Sequence, residues 1–172
     1  ANTRWEVVRN KMVLSAAALG VTMLATLGTG VAAAKGPQDK ACVAAVRAAG
    51  DWGKNLNPGK ATFVSGEPGS EIVEEIPAGV VYCGLGGRDV VEMNNGWFYG
   101  GDDIDTVHVN NGMVYGGAAT DVVMENNGLF EGTTGVDVVH VNNGVFDGGA
   151  GFDYIDVNGV NNGTCIAVER GC

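Results

Sequence analysis

From Gly84 onward the chain alternates apolar and polar positions in short stretches that return every sixteen residues. Numbering each unit from its first glycine (Gly84, Gly100, Gly116, Gly132, Gly148), the sixth place is Asp89, Asp105, Asp121, Asp137 and Asp153. The eighth place is aliphatic: Val91, Val107, Val123, Val139 and Ile155. Two places on stand Met93, Val109, Glu125, Val141 and Val157, and alternation predicts that both places face inward from one short strand. Glu125 is the exception to that pattern. The triplets Asn94-Asn95-Gly96, Asn110-Asn111-Gly112, Asn126-Asn127-Gly128 and Asn142-Asn143-Gly144 then reverse the chain, since Asn and Gly tolerate left-handed backbone angles. A second strand follows, with Phe98, Val114, Phe130 and Phe146 inward, and a glycine-rich segment makes the return. A fixed short period of this kind predicts an all-β, right-handed parallel solenoid in which each unit is one coil.

Outside the repeats the pattern changes. Residues 35–82 are expected to form an N-terminal cap region. There Asp39 is placed to cap a helix through Ala41–Ala49 that Gly50 stops, giving a small helical cap. Two apolar runs, Ala61–Val64 and Glu71–Ile76, read as strands of irregular first coils. Residues 83–172 form the solenoid proper, and its last unit carries three additional residues before Asn161-Asn162-Gly163, as at a capped end. Residues 1–34 read as a secretory signal peptide. Arg4, Arg9 and Lys11 precede an uncharged, mostly apolar run from Met12 to Ala34 that closes on three alanines. That run is also long enough to span a bilayer, so an uncleaved anchor is the alternative.

Charge narrows the partners. The chain has a net charge of −10; residues 1–34 hold three of its ten basic and one of its twenty acidic residues, which leaves 7 against 19 and a net of −12. Such a surface excludes nucleic acid as a natural partner and suits a secreted protein that meets divalent cations. Four cysteines in an exported chain favour disulfides, with Cys42–Cys83 and Cys165–Cys172 expected as clamps at the two ends of the repeats.

Stacking turns the sixth place into a row of carboxylates about 4.8 Å apart. Each neighbouring pair repels by about 0.9 kcal/mol in water and roughly 3.5 kcal/mol at an effective dielectric of 20. Relief comes from splaying into water, protonation, hydrogen bonds from backbone amides, or a bound cation. No basic residue shares the period, and Arg88 is alone among the coils, so salt bridges are not the general answer. Calcium, a hard ion with oxygen ligands, is the expected cofactor.

The units Gly148–Asp156 and Gly100–His108 resemble the haemolysin-type, or RTX, calcium-binding repeat, G-G-x-G-x-D followed by x, an apolar residue and x. The resemblance covers roughly residues 84–156. It implies a β-roll in which Asp89, Asp105, Asp121, Asp137 and Asp153 hold Ca2+ between successive coils. This chain departs from the pattern in alternating nine residues with seven, so one edge alone would bind ions. Leu85, Ala119 and Thr133 also replace expected glycines.

The functional expectation is therefore a secreted, calcium-binding repeat protein. The alternative is a metal-free structural or adhesive solenoid, using the row Trp97, Met113, Leu129 and Val145 for self-association or an extracellular surface partner. The asparagine triplets are expected to stack as ladders. His108 and His140 share a place two coils apart and read as exposed strand residues. No catalytic constellation is visible, so no enzyme activity is expected.

Overall fold

The computed structural model describes residues 12–13, 39–50 and 61–172; the expected leader at 1–34 lies outside them apart from Met12–Val13. Along the chain come β1 (Met12–Val13), α1 (Lys40–Ala48), β2 (Thr62–Ser65), β3 (Ile72–Ile76) and β4 (Val80–Leu85). The repeats supply β5 (Val90–Asn94), β6 (Trp97–Gly101), β7 (Thr106–Asn110), β8 (Met113–Ala119) and β9 (Val122–Asn126). They continue with β10 (Leu129–Gly135), β11 (Val138–Asn142), β12 (Val145–Gly151), β13 (Tyr154–Asn161) and β14 (Thr164–Ile166).

Odd-numbered strands β1 to β13 form one seven-stranded sheet and even-numbered strands β2 to β14 the other, with every neighbouring pair parallel. This is a parallel β-solenoid. Registers between repeats advance by sixteen residues, so Val91 lies beside Val107 and Phe130 beside Phe146. The first strands of the coils point Val91, Val107, Val123, Val139 and Ile155 inward, and the second strands answer with Phe98, Val114, Phe130 and Phe146. These side chains form one core between the sheets; the Phe130 and Phe146 rings stack with centroids 5.1 Å apart. Winding begins earlier than the strict period, because β2 pairs with β4 and β3 with β5.

The tenth place corrects a sequence expectation. Met93, Glu125 and Val157 are exposed there, and Val109 and Val141 only half-buried. After the buried eighth place the backbone turns two consecutive residues outward, which brings the following asparagine inside. Glu125 is therefore an ordinary surface residue. In the last coil the three extra residues form a bulge, so that Val141 pairs with Val160.

Helix α1 starts where Asp39 accepts the N–H of Ala41 at 2.9 Å. It lies on the outer face of the even sheet, burying Cys42 and Val46 against Phe63, Val81 and Cys83. The Cys42–Cys83 disulfide fixes it there, and Cys165–Cys172 closes the far end, as the spacing suggested. Cross-linking positions 41 residues apart restricts the unfolded chain by on the order of 4 kcal/mol. Beyond the helix the same face carries Trp97, Tyr99, Met113 and Tyr115, half-buried, with Trp97 Nε1 2.8 Å from Met113 Sδ. The apolar row thus faces outward.

Candidate functional site: a buried row of carboxyl groups

The five aspartates form a straight row, as the period requires, but the row runs inside the coil: each is 2% exposed or less. One oxygen of each is engaged by the coil before it. Asp105 Oδ1 accepts the N–H of Asp89 at 2.9 Å, Asp121 that of Asp105 at 2.8 Å, and Asp137 that of Asp121 at 2.8 Å. Asp153 accepts from Asp137 at 2.7 Å, and Asp89 from Glu71 at 2.9 Å. Each of these N–H groups belongs to the turn, where no strand partner serves it; the carboxyl meets the donor that the fold would otherwise leave unpaired.

Two glutamates extend the row beyond the five. Glu169 takes the sixth coil's place, its Oε2 accepting the Asp153 N–H at 2.7 Å. Its position sixteen residues after Asp153 was a signal available in the sequence. At the other end Glu71 stands at the corresponding place of the first coil, after Gly66, and its Oε2 accepts the Tyr82 hydroxyl at 2.6 Å. An eighteen-residue step separates Glu71 from Asp89, which hides it from a sixteen-residue search.

The second oxygens differ. Oδ2 of Asp89, Asp105, Asp121, Asp137 and Asp153 is buried with no hydrogen-bond partner. Each packs against the first glycine of its own coil. A methyl group on Gly116 would collide with Asp121 Oδ2 and lie 3.0 Å from the carbonyl oxygen of Gly132 in the next coil. The same holds at Gly84, Gly100 and Gly132, with Gly100, Gly116 and Gly148 supplying the carbonyls at 2.8, 2.6 and 2.7 Å. Two acceptors therefore converge on one buried spot in each coil.

Glycine serves two separate purposes in the motif. The first place needs room for the carboxyl group, not a left-handed backbone, and it is glycine in all five units. The second place is left-handed in every unit, whether occupied by Leu85 (φ 75°), Gly101, Gly117, Thr133 (φ 82°) or Gly149. At the fourth place Asp103 (φ 70°) and Ala119 (φ 88°) bear the same strain.

Electrostatics follow from the burial. Loss of hydration raises Asp89 to about 7, Asp105 to about 8, and Asp121 and Asp137 to about 7. The backbone N–H on Oδ1 opposes the rise, and neighbouring carboxyl groups add to it. Asp153 is raised by the same burial, with Glu169 and Asp147 contributing. Tyr82 is raised by burial and by Glu71, so its hydroxyl stays protonated and donates. A proton on Oδ2 would remove the negative charge from an oxygen that is buried without a partner.

Calcium takes six to eight oxygens around one point. Here Oδ1 is already occupied, Oδ2 is packed against a glycine, and no group of three or more His, Cys, Asp or Glu able to hold a metal occurs among the described residues. The row as placed does not fit that ion.

The opposite edge is built from asparagine. Asn94 Nδ2 donates to Asn110 Oδ1 at 2.9 Å, Asn110 to Asn126 at 2.8 Å, Asn126 to Asn142 at 3.0 Å, and Asn142 to Asn161 at 3.0 Å. The other hydrogen of each goes to a backbone carbonyl: Met113, Leu129, Val145 and Thr164 in turn. An outer ladder of Asn111, Asn127, Asn143 and Asn162 donates in the reverse direction, towards the N-terminus. His108 and His140 lie on the outer surface of the odd sheet, paired with Glu92 at 2.7 Å and Asp156 at 2.9 Å.

No family model, curated protein or solved structure matches this chain. The coil architecture agrees with a β-roll repeat, and the likeness to the haemolysin-type motif rests on the residues themselves.

Proposed function

We propose that the protein is a structural repeat protein of an oxidising, extracellular setting, a metal-independent solenoid that acts through its outer surfaces. The observation that carries this reading is the direction of the aspartate row. Its carboxyl groups lie inside the winding, with one oxygen bonded to the neighbouring coil's amide. They brace successive coils and need a proton, not an ion, to be complete. The two disulfides support the setting. Export, through a leader at 1–34, is part of the proposal, as is the absence of enzymatic chemistry.

Calcium held by Asp89, Asp105, Asp121, Asp137 and Asp153 is the competing reading. One observation favours it: each Oδ2 is a buried oxygen without a partner, which a positive charge would satisfy. It requires the row to open. Calorimetric titration of the oxidised protein with calcium separates the two. Absence of binding heat, with one melting temperature in chelator and in millimolar calcium, supports the structural reading. Saturable binding that is lost in Asp121→Asn would establish the other.

A further inference from the structure

Asparagine followed by glycine is the pair most open to spontaneous loss of a side-chain amide. The glycine nitrogen gives up its proton and attacks Cγ of the asparagine, and ammonia leaves as the ring closes. Water then opens this succinimide at either carbonyl, leaving aspartate or isoaspartate. Glycine favours the step because it has no Cβ to obstruct the approach. This chain holds six such pairs, at Asn95, Asn111, Asn127, Asn143, Asn158 and Asn162.

Five of the six sit at one place of the winding, and there the stack ties the amide down. Asn111, Asn143 and Asn162 each donate Nδ2 to the asparagine one coil earlier at 2.9 Å. Asn127 donates to Asn111 at 3.1 Å and to Glu125 at 3.0 Å, and Asn95 to Glu75 at 3.0 Å. The attacking nitrogen is held as well. Gly96, Gly112 and Gly163 donate their N–H to Asn94, Asn110 and Asn161 of the inner ladder, and Gly144 donates to the Asn126 carbonyl. Ring closure at any of these five must first break a bond.

Asn158 is different. It lies in the bulge of β13, where residues 156–159 stand opposite His140 alone, out of step with every triplet. Its side chain is exposed and makes no hydrogen bond among the described residues. Exposure alone does not set it apart, since Asn111, Asn127, Asn143 and Asn162 are exposed too; the missing ladder does. The coil's inward residues flank the bulge, with Ile155 before it and Asn161 after it. The additional backbone methylene of isoaspartate would therefore lengthen a segment that already departs from the period.

We propose that Asn158 is a modification site of the folded protein, converting spontaneously to aspartate and isoaspartate while the asparagine ladder preserves the other five pairs. Incubating the oxidised full chain near neutral pH, with peptide mapping by mass spectrometry, gives a rate for each pair. Each rate is divided by that of the same pair in the reduced, denatured chain, which removes the influence of local sequence. One net hydrogen bond slows a site by about tenfold. Asn158 should keep a rate close to its denatured value, and the five ladder sites should fall at least about tenfold below theirs. Asn127→Ala removes the oxygen to which Asn143 donates, so the Asn143 rate should rise by about tenfold while that of Asn158 stays unchanged. Equal retardation of all six pairs in the native protein, a ladder asparagine reacting ahead of Asn158, or an Asn143 rate unmoved by Asn127→Ala would overturn the proposal.

Discussion

The solenoid has two polar edges, one lined by asparagine and one by aspartate, with the same spacing and the same depth of burial. An asparagine carboxamide brings two donors and an acceptor. In the inner ladder both donors reach oxygen, one on the next side chain and one on the backbone. Aspartate brings acceptors only, so one oxygen finds the neighbouring amide while the other is buried against a glycine with no partner. The first edge is complete as built, whatever the pH. In the second, burial holds the carboxyl groups well above their usual range, which couples folding to acidity. Two side chains of nearly equal shape thus give one edge that is indifferent to solution conditions and one that responds to them.

The largest effect should come from giving the first edge the chemistry of the second. Asn126→Asp would place a carboxylate against Asn142 Oδ1 and Val145 O, which now accept from Asn126. A loss of roughly 3 kcal/mol or more in denaturant unfolding is expected at pH 7. Filling the space that the carboxyl row needs should rank next. Gly116→Ala collides with Asp121 Oδ2 and crowds Gly132 O, with an expected loss of about 1–3 kcal/mol in the same assay. Giving the second edge the chemistry of the first should do the reverse. In Asp121→Asn a neutral amide would replace the buried, unpartnered Oδ2, while Oδ1 would keep the Asp105 N–H. A gain of roughly 1–2 kcal/mol is expected at pH 8, shrinking as the pH falls towards 4. The smallest change concerns backbone strain: Ala119→Gly relieves a φ of 88° and should stabilise by about 0.5 kcal/mol, because glycine's greater freedom when unfolded offsets part of the gain.

Much of this architecture was legible in the spacing. A sixteen-residue period located the strands from β5 to β12, put Val91 and Phe98 inside, and foretold the asparagine ladders. Asp39 announced the helix that it caps. The direction of the aspartates was harder to read, because a carboxylate at a turn can face water or turn back to cap an amide, and the period is the same for both. The cue lay in glycine usage: the first place admits no other residue in five units, while the left-handed second and fourth places tolerate Leu85, Thr133, Asp103 and Ala119. Glycine is strictest where space, not backbone angle, is the constraint. The tenth place misled for a related reason. Strand alternation does not survive the roll of the backbone that brings Asn94 and its repeats inside, and this is why Glu125 looked anomalous. Glu71 stayed hidden behind an irregular first coil, whereas Glu169 kept the spacing and changed only the residue type.

The most direct test of the proton-bearing row is the melting temperature of the oxidised protein between pH 4.5 and 8.5, in chelator and in millimolar calcium. The folded carboxyl groups titrate near 7 to 8, against the ordinary 3.8. The native state therefore holds more protons than the unfolded chain across that interval, and stability must fall as the pH rises through it, levelling above about 8. The account predicts two superimposable descending curves. A melting temperature that climbs with pH, and only when calcium is present, would contradict it.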